Sequence, residues 1–231
     1  MSTSSRNNRG VLFSLLTVVL LGGGVALALL WAPEDVDQGA SQRIFYIHVP
    51  VALTAYVLFG LGAWKALRLL WKRQERYDLE SYTAIHIGLI FGVLTLLTGS
   101  IWARASWGVW WDWRENQLVL FLILFLFYSA YFMLRYSLAP GPSRGRISAV
   151  YALFGAVLVP VSFLAIQLAE RFLHPNDIVF SRAGPQMPGS MLVTFLVCLA
   201  GMLALGAALY HNELLGKRLD GRLRELREAL T

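Results

Sequence analysis

Trp102-Ala103-Arg104-Ala105-Ser106-Trp107-Gly108-Val109-Trp110-Trp111-Asp112-Trp113-Arg114-Glu115 holds five of the eight tryptophans in a chain of 231 residues. An interfacial belt explains one or two indoles at a membrane edge. Five in one segment between two apolar runs ask for a further reason. Each indole is a large, rigid, flat apolar surface with a single N–H donor, and several together suit a flat, aromatic, amphipathic ligand. The competing reading is a loop packed on lipid headgroups. Two conformations are open. As a helix, Trp107, Trp110 and Trp111 share a face and Trp113 does not. As an extended strand, Trp107, Trp111 and Trp113 share a face that Trp110 opposes. Either presents three indoles, and Gly108 lets the backbone approach a ligand closely.

Outward from this segment the chain carries long charge-free runs. Residues 81–103 lead into it and 116–134 lead out of it; 11–31, 49–64, 147–169 and 189–210 complete a set of six. The chain is 57% hydrophobic and 15% charged, against about a quarter charged in soluble domains. The reading is an all-α integral membrane protein of six transmembrane helices, one domain over 1–231. A cleavable signal would have an apolar core of about 7–15 residues, so the first run reads as an uncleaved anchor.

The net charge of +6 is topological and does not point to nucleic acid. Six spans put both termini on one side. Fifteen Lys and Arg fall on that side and five on the other. The positive-inside rule then assigns both termini to the cytoplasm. The Trp-rich segment 102–115 falls on the outer face. In the tail 213–231, Leu215, Leu219, Leu223, Leu226 and Leu230 recur at helical spacing among charges. This predicts a C-terminal amphipathic helix lying on the membrane surface or on a partner, dispensable for ligand binding on the far face.

Two histidines flank spans on the outer side. Pro50 disfavours helix at Val49, so the second span is expected to begin there, with His48 just off its end. His174 follows the fifth run. Both imidazoles then sit at one depth beside the Trp segment. Two neutral imidazoles and a flat aromatic platform are what haem requires: axial nitrogen ligands and apolar walls. Arg43, Arg104, Arg114 and Arg171 lie on the same face, and a guanidinium pairs with a propionate. Singly, each histidine reads as a hydrogen-bonded rim residue and each arginine as an interfacial anchor; the coincidence carries the signal. The single cysteine, Cys198, reads as a small buried hydrophobe. No C-x-x-C-H for covalent haem attachment stands in the chain, so a haem here is expected to be held non-covalently. His86 and His211 map to inner span ends and read as structural, His211 following the last helical turn, where the dipole favours a cation.

Arg-Ile-Phe-Tyr-Ile-His-Val-Pro at 43–50, Gly-Ser-Ile-Trp-Ala-Arg at 99–104 and Trp-Gly-Val-Trp-Trp at 107–111 resemble the cytochrome c maturation protein C family. These are haem-handling proteins with a periplasmic Trp-rich loop. The resemblance covers nearly the whole chain. It implies that His48 and His174 are axial haem ligands. It implies too that Trp102, Trp107, Gly108, Trp110, Trp111, Asp112 and Trp113 hold the haem edge. The partners it implies are a membrane-anchored periplasmic haem chaperone, an ATP-binding-cassette transporter and a small single-span subunit, within membrane lipid. The family loop usually ends Trp-Trp-x-Trp-Asp. Here Arg114 holds the acidic place, which leaves Asp112 or Glu115 as the carboxylate, or the role unfilled.

No P-loop, Ser–His–Asp set or metal-hydrolase motif is present, so the expectation is a haem-transfer protein and not an enzyme. A transporter or channel subunit would carry ionisable groups inside its bundle, and the span centres here hold none. A quinone-linked cytochrome b subunit would set its ligating histidines within facing helices. A purely structural assembly subunit would show no haem absorbance.

Overall fold

The computed structural model describes residues 3–34, 38–168 and 187–230. They form six helices: α1 Thr3–Leu30, α2 Phe45–Lys72, α3 Arg76–Trp107, α4 Asn116–Ser137, α5 Pro142–Leu168 and α6 Gly189–Glu228. A 3-10 turn, Ala40–Ile44, feeds α2. There is no β-strand among the described residues. All six helices are long and apolar enough to cross a membrane, and a helix satisfies its own backbone hydrogen bonds as lipid requires. The chain is an all-α, six-span membrane protein.

α2 is the central helix, packed against α3, α5 and α6. Small residues let the backbones close, as is usual where lipid supplies no hydrophobic drive between helices. Ser81 Oγ donates to the Gly62 carbonyl at 2.8 Å. Larger rings fill the wider gaps: Phe59 stacks on Tyr128 with centroids 4.2 Å apart. Tyr56 and Ser162 share a hydroxyl hydrogen bond of 2.8 Å. α1 lies outside this core and packs on α6, where buried Cys198 fits against Gly24. Five of its large side chains, Leu12, Leu15, Leu16, Val18 and Val19, are exposed on the protein.

The basic end is fastened by ion pairs. Arg135 forks onto Asp78 at 2.8 and 2.7 Å. Buried Glu80 takes Lys65 at 2.8 Å and Arg218 at 2.9 Å. His86 Nδ1 lies 2.8 Å from Glu213, which also pairs with Lys217.

Four boundaries differ from the sequence reading. α2 begins at Phe45, not at Val49, so His48 lies within its first turns. Pro50 stands inside the helix and forfeits one ladder bond, to the Tyr46 carbonyl, and the 3-10 turn leads directly into the helix. Trp102 and Trp107 belong to α3, which leaves 108–115 as the loop proper. The tail is not a separate surface helix. α6 runs unbroken for 40 residues, so the leucine segment continues the line of the sixth span, held there by Arg218 and Glu213. His211 consequently stands inside α6 and not at a helix end.

Candidate functional site

The last turns of α3 and the first turns of α2 build the rim at the Trp end. Thr98 and Trp102 are one turn apart and share a stripe of α3, and His48 of α2 meets that stripe. Its Nδ1 lies 2.9 Å from Thr98 Oγ1. The Thr98 hydroxyl has one proton and donates it to the Leu94 carbonyl at 2.8 Å. With the hydroxyl given to that carbonyl it accepts from His48, the tautomer that carries the proton on Nδ1 and the lone pair on Nε2; either tautomer satisfies the 2.9 Å contact itself. Gly99 is what permits this approach, since a Cβ there would come within 2.9 Å of His48 Cε1. The Trp102 indole meets the imidazole edge-on, centroids 5.6 Å apart.

Trp102 is buried at 7% exposure. Its Nε1 donates to Gln38 Oε1 at 3.1 Å, and it packs with Phe45, Tyr46, Met191 and Phe195. It is a wall of the site and a core residue at once. Trp107 ends α3. Gly108 caps it in the left-handed region, φ 77°, with its N–H on the Arg104 carbonyl at 3.2 Å. The glycine is thus accounted for by the helix stop. Arg104 donates to the Gly108 carbonyl.

Residues 108–115 adopt neither of the two regular conformations considered above. Trp110 and Trp113 are 60% and 71% exposed. Trp111 is half-buried and meets Trp113 edge-on at 5.7 Å. Its Nε1 is sealed from solvent and has no hydrogen-bond partner among the described residues. Arg114 forks onto Asp112, Nε at 2.9 Å and Nη2 at 2.5 Å, and its backbone N–H donates to the same carboxylate at 2.9 Å. These hydrogen bonds hold the Asp112 carboxyl down at about 2 and raise the Arg114 guanidinium above its ordinary value. Glu115 stands at the start of α4, buried, with Oε1 unpartnered among the described residues. Arg43 pairs with Glu34 at 3.3 Å.

The structure therefore joins His48 to Trp102, Trp111 to Trp113, Arg104 to Gly108, Arg114 to Asp112 and Arg43 to Glu34. His174 and Arg171 lie outside the described residues. Thr98, Gly99 and Gln38 are site residues that sequence reasoning missed. The four-residue spacing of Thr98 and Trp102 was the available signal for the first.

These features define a multi-pass helical membrane protein whose distinctive face carries a rim histidine and an exposed tryptophan loop. The family model described as "Heme exporter protein C" matches residues 4–227, and the chain belongs to that family. It is 31% identical over 195 residues to heme exporter protein C of Haemophilus influenzae, covering 84% of this chain and 78% of the relative. It is 34% identical over 207 residues to that of Bradyrhizobium diazoefficiens, covering 87% and 77%. A mitochondrial protein of Arabidopsis thaliana named for cytochrome c biosynthesis is 28% identical over 189 residues, covering 82% and 70%.

Proposed function

We propose that this protein binds haem b non-covalently on its Trp-loop face and delivers it to a membrane-anchored haem chaperone during c-type cytochrome biogenesis. It works in a bacterial inner membrane with both termini cytoplasmic and the loop periplasmic. It acts beside ATP-binding-cassette transporter subunits and a small single-span subunit, and catalyses no bond-making of its own. Family membership supports the general reading. The observation that carries the site is His48, whose Nδ1–H is committed to Thr98 Oγ1 at 2.9 Å, so that Nε2 is the atom with ligand character. A hydrogen bond on the far nitrogen fixes the ring and raises its basicity as an iron ligand. His174 is the second axial ligand. The exposed indoles of Trp110 and Trp113 offer apolar area, each worth roughly 25 cal/mol per Å² covered. The unpartnered Trp111 N–H and the exposed Arg114 Nη1, which lies outside the fork on Asp112, suit a propionate.

The residues divide the work. An axial bond is directional, so its loss opens a coordination position; the indoles act through area spread over several rings. His48→Ala or His174→Ala is expected to turn a low-spin haem spectrum toward high-spin and lower occupancy, with partial rescue by imidazole. Trp110→Ala or Trp111→Ala should keep the low-spin spectrum and lower occupancy or transfer. Thr98→Val should keep ligation but weaken it, because a methyl group cannot accept from Nδ1. Visible spectra of the detergent-purified variants, with a transfer assay, decide the matter. A wild-type low-spin spectrum at full occupancy in both histidine variants would refute the ligand assignment.

A further inference from the structure

At the opposite end of the bundle, a cavity of about 500 Å³ opens between the α2–α3 turn and the start of α5. Arg73, Arg76, Arg144 and Arg146 line it together with Leu69 and Leu79. Two carboxylates also border it, Glu75 and Asp78, and Asp78 is already held by the Arg135 fork. The positive-inside rule accounts for basic residues at this face. It does not account for a cavity among them, nor for two further details. Arg73 is the one non-glycine residue with positive φ among those described, at 52°, and it caps α2 through its N–H on the Leu69 carbonyl at 2.8 Å. Glycine takes that conformation without steric cost, so an arginine there forgoes the cheaper cap. Arg144 Nε is sealed from solvent without a hydrogen-bond partner among the described residues.

We propose that this cavity binds the phosphate of an anionic lipid headgroup in the leaflet on the basic side. A guanidinium fork matches phosphate oxygens two at a time, and basic pockets at the inner ends of membrane helices receive acidic headgroups. Leu69 and Leu79 supply an apolar wall for the start of an acyl chain, which a free phosphate would not use. α5 begins at Pro142, beside the cavity, so its positive dipole end adds to the same field.

The test is the melting midpoint of the full chain in lipid-free detergent, with added phosphatidylglycerol, phosphatidylcholine or inorganic phosphate. Phosphatidylglycerol should raise the midpoint by several degrees more than phosphatidylcholine does. Arg73→Gly combined with Arg144→Gln should remove at least half of that difference. Arg222→Gln combined with Arg224→Gln, on the α6 tail, should leave it intact. Arg73→Gly alone should melt no lower than the wild type without lipid, because glycine accepts the left-handed cap, and should still weaken the phosphatidylglycerol response. An unchanged response in the Arg73 and Arg144 variants overturns the proposal, as does an equal loss in the tail variant. Inorganic phosphate giving the full rise would overturn the lipid assignment in favour of a free anion.

Discussion

Arg114 stands where the sequence resemblance leads one to expect a carboxylate, and it forks onto Asp112. Sequence reasoning left Asp112 and Glu115 as alternative carboxylates. In the structure, Asp112 is engaged by its own neighbour and Glu115 is buried at the head of α4. The choice depended on the backbone path of an irregular loop, which neither helical nor strand periodicity encodes. The same limit hid Thr98 and Gly99, whose roles exist only because another helix brings His48 against them. Asp112 carries a pH consequence. Its ordinary value is 3.8 and its folded value is about 2. A carboxyl depressed on folding contributes fully above its unfolded value and loses that contribution as pH falls through the folded one. Loop tryptophan emission should therefore stay flat from neutral pH down to about 4 and change between there and about 2. Arg114→Leu should move the change up toward the ordinary carboxylate range. The pair is exposed, so added salt should weaken the difference. Superimposable titrations of the two proteins would show that the fork does not hold the loop.

The helices were legible as charge-free runs, and all six are present. Their ends were not. Apolarity marks the stretch immersed in lipid, whereas a helix continues wherever its backbone bonds and side-chain partners allow. α3 runs on through Trp107 and α6 through Glu228 for that reason. The tail consequently divides at a place that leucine spacing does not reveal. Leu214 is buried at 7% exposure, and Glu213 and Arg218 pair with His86 and Glu80. Beyond Leu219 the described side chains are largely exposed. Truncation after Leu219 should leave the melting midpoint close to that of the full chain. Truncation after Asn212 should destabilise by roughly 2–4 kcal/mol, from one buried leucine and two partly exposed pairs. Equal midpoints for the two truncations would mean that the ion pairs to α3 contribute nothing.

Taken whole, the molecule is asymmetric from end to end: the Trp loop and a rim histidine at one face, most of the Lys and Arg at the other. The asymmetry predicts orientation. Single cysteines in a Cys198→Ser background, one at exposed Val109 and one at exposed Gln74, should react differently with an impermeant thiol reagent. Val109→Cys should label in intact cells and Gln74→Cys only after lysis; the reverse pattern would invert the topology. α6 joins the two faces. Its first turns put Met191 and Phe195 among Phe45 and Trp102, and its far turns are latched to α3 through Arg218 at 2.9 Å from Glu80. A helix of 40 residues, about 60 Å at 1.5 Å per residue, swings its tip by about 5 Å for each ~5° of tilt about its first turn. Pivoted there, it would act as a lever, with its start among the aromatic rings and its end beyond the span at the basic face. A small repacking around Trp102 would then be geared up, at the far tip, into a stroke longer than the latch it would have to release.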